Sequence, residues 1–211
     1  KFTTGEYIQQ YIKPIKQYHN NVTEKPNIVL IILEGMGAEY FGVMNKNTQM
    51  PNYRTHTPFL DSLAQKGFYF TNIYANSIHS IEGISAVTAG MPTFQTAWVR
   101  SGYAQRKISS LPEIARSLGY QTLFAHGATN GSMNFDGYTH QIGYQTYLGR
   151  TEFNDDRYYN GSWGIDDEPF LQYFAKNINQ MKQPFLATVF TLSSHGPYKV
   201  PEPHNKRFNK G

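Results

Sequence analysis

The feature that most constrains this fold is a series of short apolar runs separated by segments with helical spacing. The first run, NIVLIIL at residues 27–33, is continuous and rich in β-branched residues, which is typical of a strand buried on both faces of a parallel sheet. Similar runs follow at residues 68–74, 121–125 and 185–192. Because helical segments separate these runs, the pattern predicts an α/β fold, a mostly parallel β-sheet sandwiched between helices.

The helices are predicted from apolar periodicity and from Pro and Gly at their ends. Four of them are expected at residues 57–65, 81–89, 111–118 and 168–181. We expect Asp166 and Asp167 to cap the last of these helices rather than to bind a metal. An additional helix is predicted near the N-terminus, so we divide the chain into residues 1–24, a helix and connector, and residues 25–211, the main α/β unit.

The composition excludes several classes of protein. The 211 residues contain no cysteine, which excludes disulfides, zinc–thiolate sites and cysteine nucleophiles. The net charge of +4 comes from scattered residues, so nucleic-acid binding is not expected. No apolar run approaches the ~18 residues of a membrane span, and the start of the chain lacks a signal-peptide pattern. The chain does not begin with Met, and we expect it to be a piece of a longer protein.

Polar residues follow each of the four predicted strands. Glu34 follows the first strand, Ser80 lies shortly after the second, His126 follows the third, and His195 follows the fourth. Because ligands of parallel sheets bind beyond the carboxyl ends of the strands, we expect these side chains to converge on one site.

Each of these residues also has a structural interpretation. Glu34 could cap the next element, but a carboxylate after a buried strand is costly unless it is paired or bound to a metal. Ser80 could be the N-cap of the following helix, or a nucleophile at that helix terminus, where the dipole favours an anionic substrate. Taken alone, His126 and His195 could equally be histidines without a function, and Trp163 could be a residue that only packs against its neighbours.

Six stretches together resemble the lipoteichoic acid synthase-like sulfatase family of the alkaline phosphatase superfamily. They are KPNIVLIILEGMGAEY, TPFLDSLAQKGFYFTNIYAN, SIHSIEGISAVTAGMP, LPEIARSLGYQTLFAHGATNGSMNFDGY, WGIDDEPFLQYF and PFLATVFTLSSHGPYKVP. Each motif alone is weak, whereas their order and spacing are fairly specific. The resemblance extends from about Lys25 over nearly the whole chain, so residues 25–211 are interpreted as the N-terminal portion of a sulfatase-like catalytic domain.

The resemblance implies a metal-dependent phosphoryl-type transferase or hydrolase that acts on phosphoglycerol- or phosphoethanolamine-type esters of lipids or glycans. Ser80 matches the nucleophile that forms a covalent intermediate and binds the metal, and Glu34 matches the first metal ligand. His195 matches a residue that contacts the phosphate or head group, and Trp163 and His126 fall in segments that line the substrate pocket. One divalent metal is expected, with Mn favoured over Mg or Zn.

The resemblance also implies a location on the extracytoplasmic side of a bacterial cytoplasmic membrane. The anchor would lie in segments outside this chain, and no oligomeric state is implied.

The sequence departs from the family pattern in two respects. It has no cysteine, and Ser80 is not followed by x-Pro-x-Arg, so hydrolysis of sulfate esters through formylglycine is disfavoured. It also contains no Asp-His dipeptide, the pair that completes the family's metal site. We therefore expect a fragment truncated at the C-terminus and nearly inactive alone. A non-catalytic module that binds a glycan or lipid head group, or a phosphatase of soluble esters, is the alternative.

Overall fold

The computed structural model describes residues 24–46, 54–93, 96–201 and 204 of the chain. Its centre is a four-stranded sheet formed by β1 (Ile28–Ile32), β2 (Gln121–His126), β3 (Thr146–Leu148) and β4 (Phe185–Phe190). The strand order is β1-β4-β2-β3, and every pairing is parallel. The prediction of a mostly parallel α/β fold is thus confirmed.

Six α-helices accompany the sheet within the described residues. They are α1 (Pro58–Ala64), α2 (Ser80–Ala89), α3 (Leu111–Ser117), α4 (Phe135–Gln141), α5 (Arg150–Phe153) and α6 (Asp167–Ile178). The four helices predicted in this part of the chain correspond to α1, α2, α3 and α6. Gly90 ends α2 at φ +63°, a left-handed conformation that glycine adopts without a steric penalty. The helix predicted near the N-terminus lies outside the described residues.

The core lies on both faces of the two central strands, β4 and β2. On one face, Phe124 of β2 and Leu186 of β4 pack with Ile84 of α2 and Phe135 of α4. On the other face, alternate residues of the same strands pack against Phe170 and Phe174 of α6. Successive side chains of a strand point to opposite faces, so strands with this pattern must be covered by helices on both sides.

The structure differs from the strand predictions in three respects. Residues 68–74 form no strand, and their aromatic side chains are largely exposed. The short strand β3 was not predicted, because three residues are too few to establish a period of two. The run at residues 27–33 is a strand, but β1 pairs only with β4 in the described residues, and Ile31 is 56% exposed. Burial on both faces therefore holds for β2 and β4 but not for β1.

Candidate functional site

The site lies at the carboxyl ends of β1 and β4, where Glu34 and Ser80 are in direct contact. The Ser80 hydroxyl donates a hydrogen bond to Glu34 Oε2 at 2.5 Å, although the two residues are 46 positions apart. Glu34 follows β1, and Ser80 is the first residue of α2. The convergence of these two side chains, expected from their positions after apolar runs, is therefore present in the structure.

Ser80 is not the N-cap of α2, so the capping interpretation is wrong. The N-cap position belongs to His79, whose side chain makes no capping hydrogen bond, and the Ser80 hydroxyl is turned toward Glu34. Ser77, three residues earlier, does not cap α2 either and donates a hydrogen bond to the Glu82 carboxylate. The Ser80 hydroxyl is half-buried at the N-terminus of a ten-residue helix, where the dipole favours negative charge.

Glu34 is held in place by the end of β4. Its backbone N–H donates to Thr191 Oγ1 at 2.9 Å, while the Thr191 N–H donates to the Ile32 carbonyl at 3.0 Å. Gly35 follows at φ +62°, and a Cβ on this residue would lie 3.1 Å from the carbonyl oxygen of Ser194. Thr191 is not predictable from the sequence because it is an ordinary residue of a strand pattern, and only the pairing of β1 with β4 gives it this role.

His195 lies in the turn after β4, and that turn is tied to α6 by Asp167. The Asp167 carboxylate accepts hydrogen bonds from the N–H groups of Leu192 at 2.7 Å and Ser193 at 2.8 Å. In return, the Asp167 N–H donates to Ser193 Oγ at 2.8 Å. Burial raises the pKa of Asp167, and these hydrogen bonds counteract part of that effect.

The prediction that Asp166 and Asp167 cap α6 is wrong in its detail. Asp166 occupies the N-cap position, but its side chain makes no capping hydrogen bond. Asp167 binds the turn after β4 instead of its own helix. The contribution of Asp167 to the site could not be found from the sequence, because the residues it binds are 25 and 26 positions away.

His126 is a buried residue beneath the site. Its ring is stacked on Phe190 with centroids 4.5 Å apart and meets Phe135 edge-on at 5.4 Å. Nδ1 lies 3.0 Å from the Phe190 carbonyl oxygen, which can only accept, so Nδ1 carries the hydrogen. Burial lowers the pKa of His126 from 6.5 to about 4, with the bond to Phe190 acting in the opposite direction. The ring is therefore neutral at pH 7.

The candidate residues share one small cavity. It has a volume of about 30 Å³ and is lined by all five candidate residues, Glu34, Ser80, His126, Trp163 and His195. Met133 also lines it and is not among the residues predicted from the sequence. Met133 has φ +52°, an unusual conformation for a residue other than glycine, and only the backbone of the structure reveals it. Glu34 and Ser80 also line a much larger groove of about 1380 Å³ with mainly apolar walls. The Glu34–Ser80 pair therefore lies at the boundary between the two spaces.

The chemistry of the pair suits a hard divalent cation, but the pair alone is an incomplete site. Carboxylate and hydroxyl oxygens are ligands of the kind that Mg²⁺ and Mn²⁺ take. No group of three or more Asp, Glu, His or Cys side chains that could hold a metal occurs in the part of the chain that the structure describes. Catalytic metal sites typically have about three protein ligands. The described residues therefore offer two ligands, both on one side of a bound metal.

Comparison with known proteins shows the family of this chain. The family model described as "Sulfatase" matches residues 26–211. Lipoteichoic acid synthase 1 of Bacillus subtilis (strain 168) is 28% identical over 214 residues, which cover 91% of this chain and 30% of the relative. Phosphoglycerol transferase I of Salmonella choleraesuis (strain SC-B67) is 26% identical over 207 residues, which cover 91% of this chain and 25% of the relative.

A solved structure supports the fold at a similar level of identity. The crystal structure of a protein in the alkaline phosphatase superfamily from Vibrio parahaemolyticus matches with a TM-score of 0.72 and 28% identity, and the match covers 85% of this chain and 43% of that chain. The present chain thus spans less than half of that protein and about a quarter to a third of the two curated relatives. Within the described residues, no helix combines the length and apolar character needed to cross a membrane.

Proposed function

Because this chain belongs to the sulfatase family, we propose that it supplies the nucleophile and part of the metal site of a phosphoryl-type transferase or hydrolase. The proposed substrates are phosphoglycerol- or phosphoethanolamine-type esters of lipids or glycans, by similarity to a lipoteichoic acid synthase and a phosphoglycerol transferase. The observation that carries the proposal is the 2.5 Å hydrogen bond from Ser80 to Glu34 at the N-terminus of α2. A serine that only capped the helix would not make this contact.

Ser80 is the proposed nucleophile. Its hydroxyl loses its proton to solvent, and its oxygen forms a bond to phosphorus while the bond from phosphorus to the leaving alcohol breaks and that alcohol takes up a proton from solvent. Water or a second alcohol then attacks the covalent intermediate and loses its proton to solvent, while the bond from phosphorus to the Ser80 oxygen breaks and the hydroxyl is protonated again. Glu34 orients the hydroxyl by accepting a hydrogen bond from it. The helix N-terminus favours the negative charge that develops on the phosphoryl oxygens. His195, on the wall of the same cavity, is the proposed contact to the phosphate or head group.

A divalent metal, with Mn favoured, is the proposed cofactor, and Glu34 and Ser80 are the residues of this chain that would hold it. A bound cation lowers the pKa of a coordinated hydroxyl and offsets negative charge at the reacting phosphoryl group. The sequence contains no Asp-His pair, which the family resemblance assigns to the rest of the metal site. His126 and Trp163 are proposed to line the site, and an extracytoplasmic, membrane-anchored location is proposed by similarity alone.

The test is intact-mass analysis of the full-length protein with Mn²⁺ and either a phosphoglycerol lipid or a nitrophenyl phosphate ester. A metal-dependent adduct that maps to Ser80 supports the proposal, and its mass identifies the transferred group. Ser80→Ala should abolish both the adduct and turnover. Ser77→Ala is the matched control, because Ser77 lies three residues earlier and is bonded to Glu82 rather than Glu34.

The same experiment separates the alternatives. A protein that binds the metal and the lipid head group without forming an adduct or turning over any ester would be a binding module. Turnover of nitrophenyl phosphate without transfer from the lipid would indicate a phosphatase of soluble esters.

A further inference from the structure

Two hydrogen-bond donors converge on the Gly196 carbonyl beside the site. Trp163 Nε1 lies 2.8 Å from this oxygen, and His195 Nδ1 also lies 2.8 Å from it. A carbonyl oxygen only accepts hydrogen bonds and has two lone pairs, so both contacts are satisfied when each nitrogen carries a hydrogen. In the neutral imidazole of His195, the hydrogen is then on Nδ1, and Nε2 carries the free lone pair.

The indole of Trp163 also restricts the orientation of the imidazole ring. The two rings are in contact, with centroids 4.2 Å apart and planes inclined by 51°. The Trp163 backbone is itself fixed, because its N–H donates to Asn160 Oδ1 at 2.9 Å. The same side-chain oxygen accepts from the N–H of Ser162 at 2.9 Å, which completes a tight turn before the tryptophan. The indole therefore has a fixed position, and the His195 ring packs against it.

The geometry points to Trp163 as a positioning residue that holds His195 with its hydrogen on Nδ1. Nε2 is then the nitrogen left for the substrate, where a neutral ring accepts a hydrogen bond from an incoming or leaving hydroxyl. This inference rests on the proposed function, and it changes the expected role of Trp163. Its indole N–H is already used by the Gly196 carbonyl, so the residue acts through His195 instead of donating to a substrate.

The kinetic test is a double-mutant cycle in the full-length enzyme. Trp163→Phe keeps an aromatic ring but removes the indole donor, and it should lower kcat about 3- to 10-fold, the usual effect of one hydrogen bond. In a His195→Ala background the same change should have no further effect, because the group it positions is gone. Equal losses in both backgrounds would overturn the inference.

The chain provides a matched control in its second tryptophan. Trp98 is packed against the core, and its buried Nε1 has no hydrogen-bond partner among the residues the structure describes. Trp98→Phe therefore removes an indole without removing a donor to the site. It should leave kcat, and the effect of His195→Ala on kcat, unchanged.

A spectroscopic measurement tests the tautomer without using activity. In protein labelled with ¹⁵N-histidine, His195 should show a pyrrole-like Nδ1 and a pyridine-like Nε2 at a pH where the ring is neutral. Trp163→Phe should shift both signals toward a mixture of tautomers, while Trp98→Phe should not. A wild-type ring with its hydrogen on Nε2 would overturn the inference. If no ester is turned over, the proposed function fails while this measurement still decides the role of Trp163.

Discussion

The buried imidazole of His126 makes the stability of this protein depend on pH. The ring is 4% exposed, and burial lowers its pKa from 6.5 to about 4. Because the folded pKa lies below the unfolded value, the unfolded chain takes up this proton first as the pH falls. The contribution of His126 to stability is therefore complete above pH 6.5 and is lost as the pH falls toward 4. Between pH 7 and pH 5 the loss amounts to about 2 kcal/mol.

The measurement compares the free energy of unfolding in urea at pH 7 and pH 5 for the wild type and for His126→Asn. Asparagine does not titrate, and its amide can replace Nδ1 as the donor to the Phe190 carbonyl. The variant therefore removes the effect of protonation on stability while it keeps the hydrogen bond. We expect the variant to lose about 2 kcal/mol less than the wild type over this range.

His140→Asn is the control for this experiment. The ring of His140 is exposed and its Nδ1 is bonded to the Asp136 carbonyl at 2.8 Å, so the hydrogen-bonding pattern is similar without the burial. His140→Asn should lose as much free energy of unfolding between pH 7 and pH 5 as the wild type. The reasoning is refuted if His126→Asn and the wild type lose stability in parallel between pH 7 and pH 5.

Three further substitutions test the contacts that hold the site and the core. Gly35→Ala should cost about 1–2 kcal/mol in the free energy of unfolding, measured in urea, because its φ of +62° and the nearby turn after β4 disfavour a Cβ. Thr191→Val removes the acceptor for the Glu34 N–H and should cost about 1 kcal/mol and lower metal-dependent turnover, while Thr191→Ser should restore both. Thr188→Val leaves the buried Tyr144 hydroxyl without its 2.6 Å partner and should lower the thermal midpoint, and adding Tyr144→Phe should recover part of the loss.

The strands show what local pattern can and cannot predict. The runs at residues 121–125 and 185–192 predict strands correctly because β2 and β4 are buried on both faces, so most of their positions carry apolar residues or threonine. Residues 68–74 are also rich in aromatic and β-branched residues but pair with no other strand in the described residues, and β propensity without a partner does not make a strand. The exposed positions of β1 likewise depend on which strands lie beside it, which no local pattern contains.

The candidate site likewise contains some residues that could be predicted from the sequence and others that could not. Glu34 and His195 could be proposed because each follows a strand, and ligands of parallel sheets bind at strand ends. Ser80 was proposed on a partly wrong basis, since the segment before it is not a strand, and its contact with Glu34 comes from the packing of α2. Asp167 and Thr191 act only through partners that are distant in sequence, so their roles required the three-dimensional structure.

The pairing of β1 with β4 has a consequence for how the protein is made. Glu34 and Thr191, which contact each other at the ends of these strands, are 157 residues apart in the chain. At the usual speed of a ribosome, ~10–30 s pass between the synthesis of the NIVLIIL segment and the synthesis of its partner strand. During that time an apolar segment without charge or proline is open to pairing with other chains. We therefore expect the nascent chain to need a chaperone over this interval, and the backbone contacts that hold Glu34 to form only after β4 has been translated.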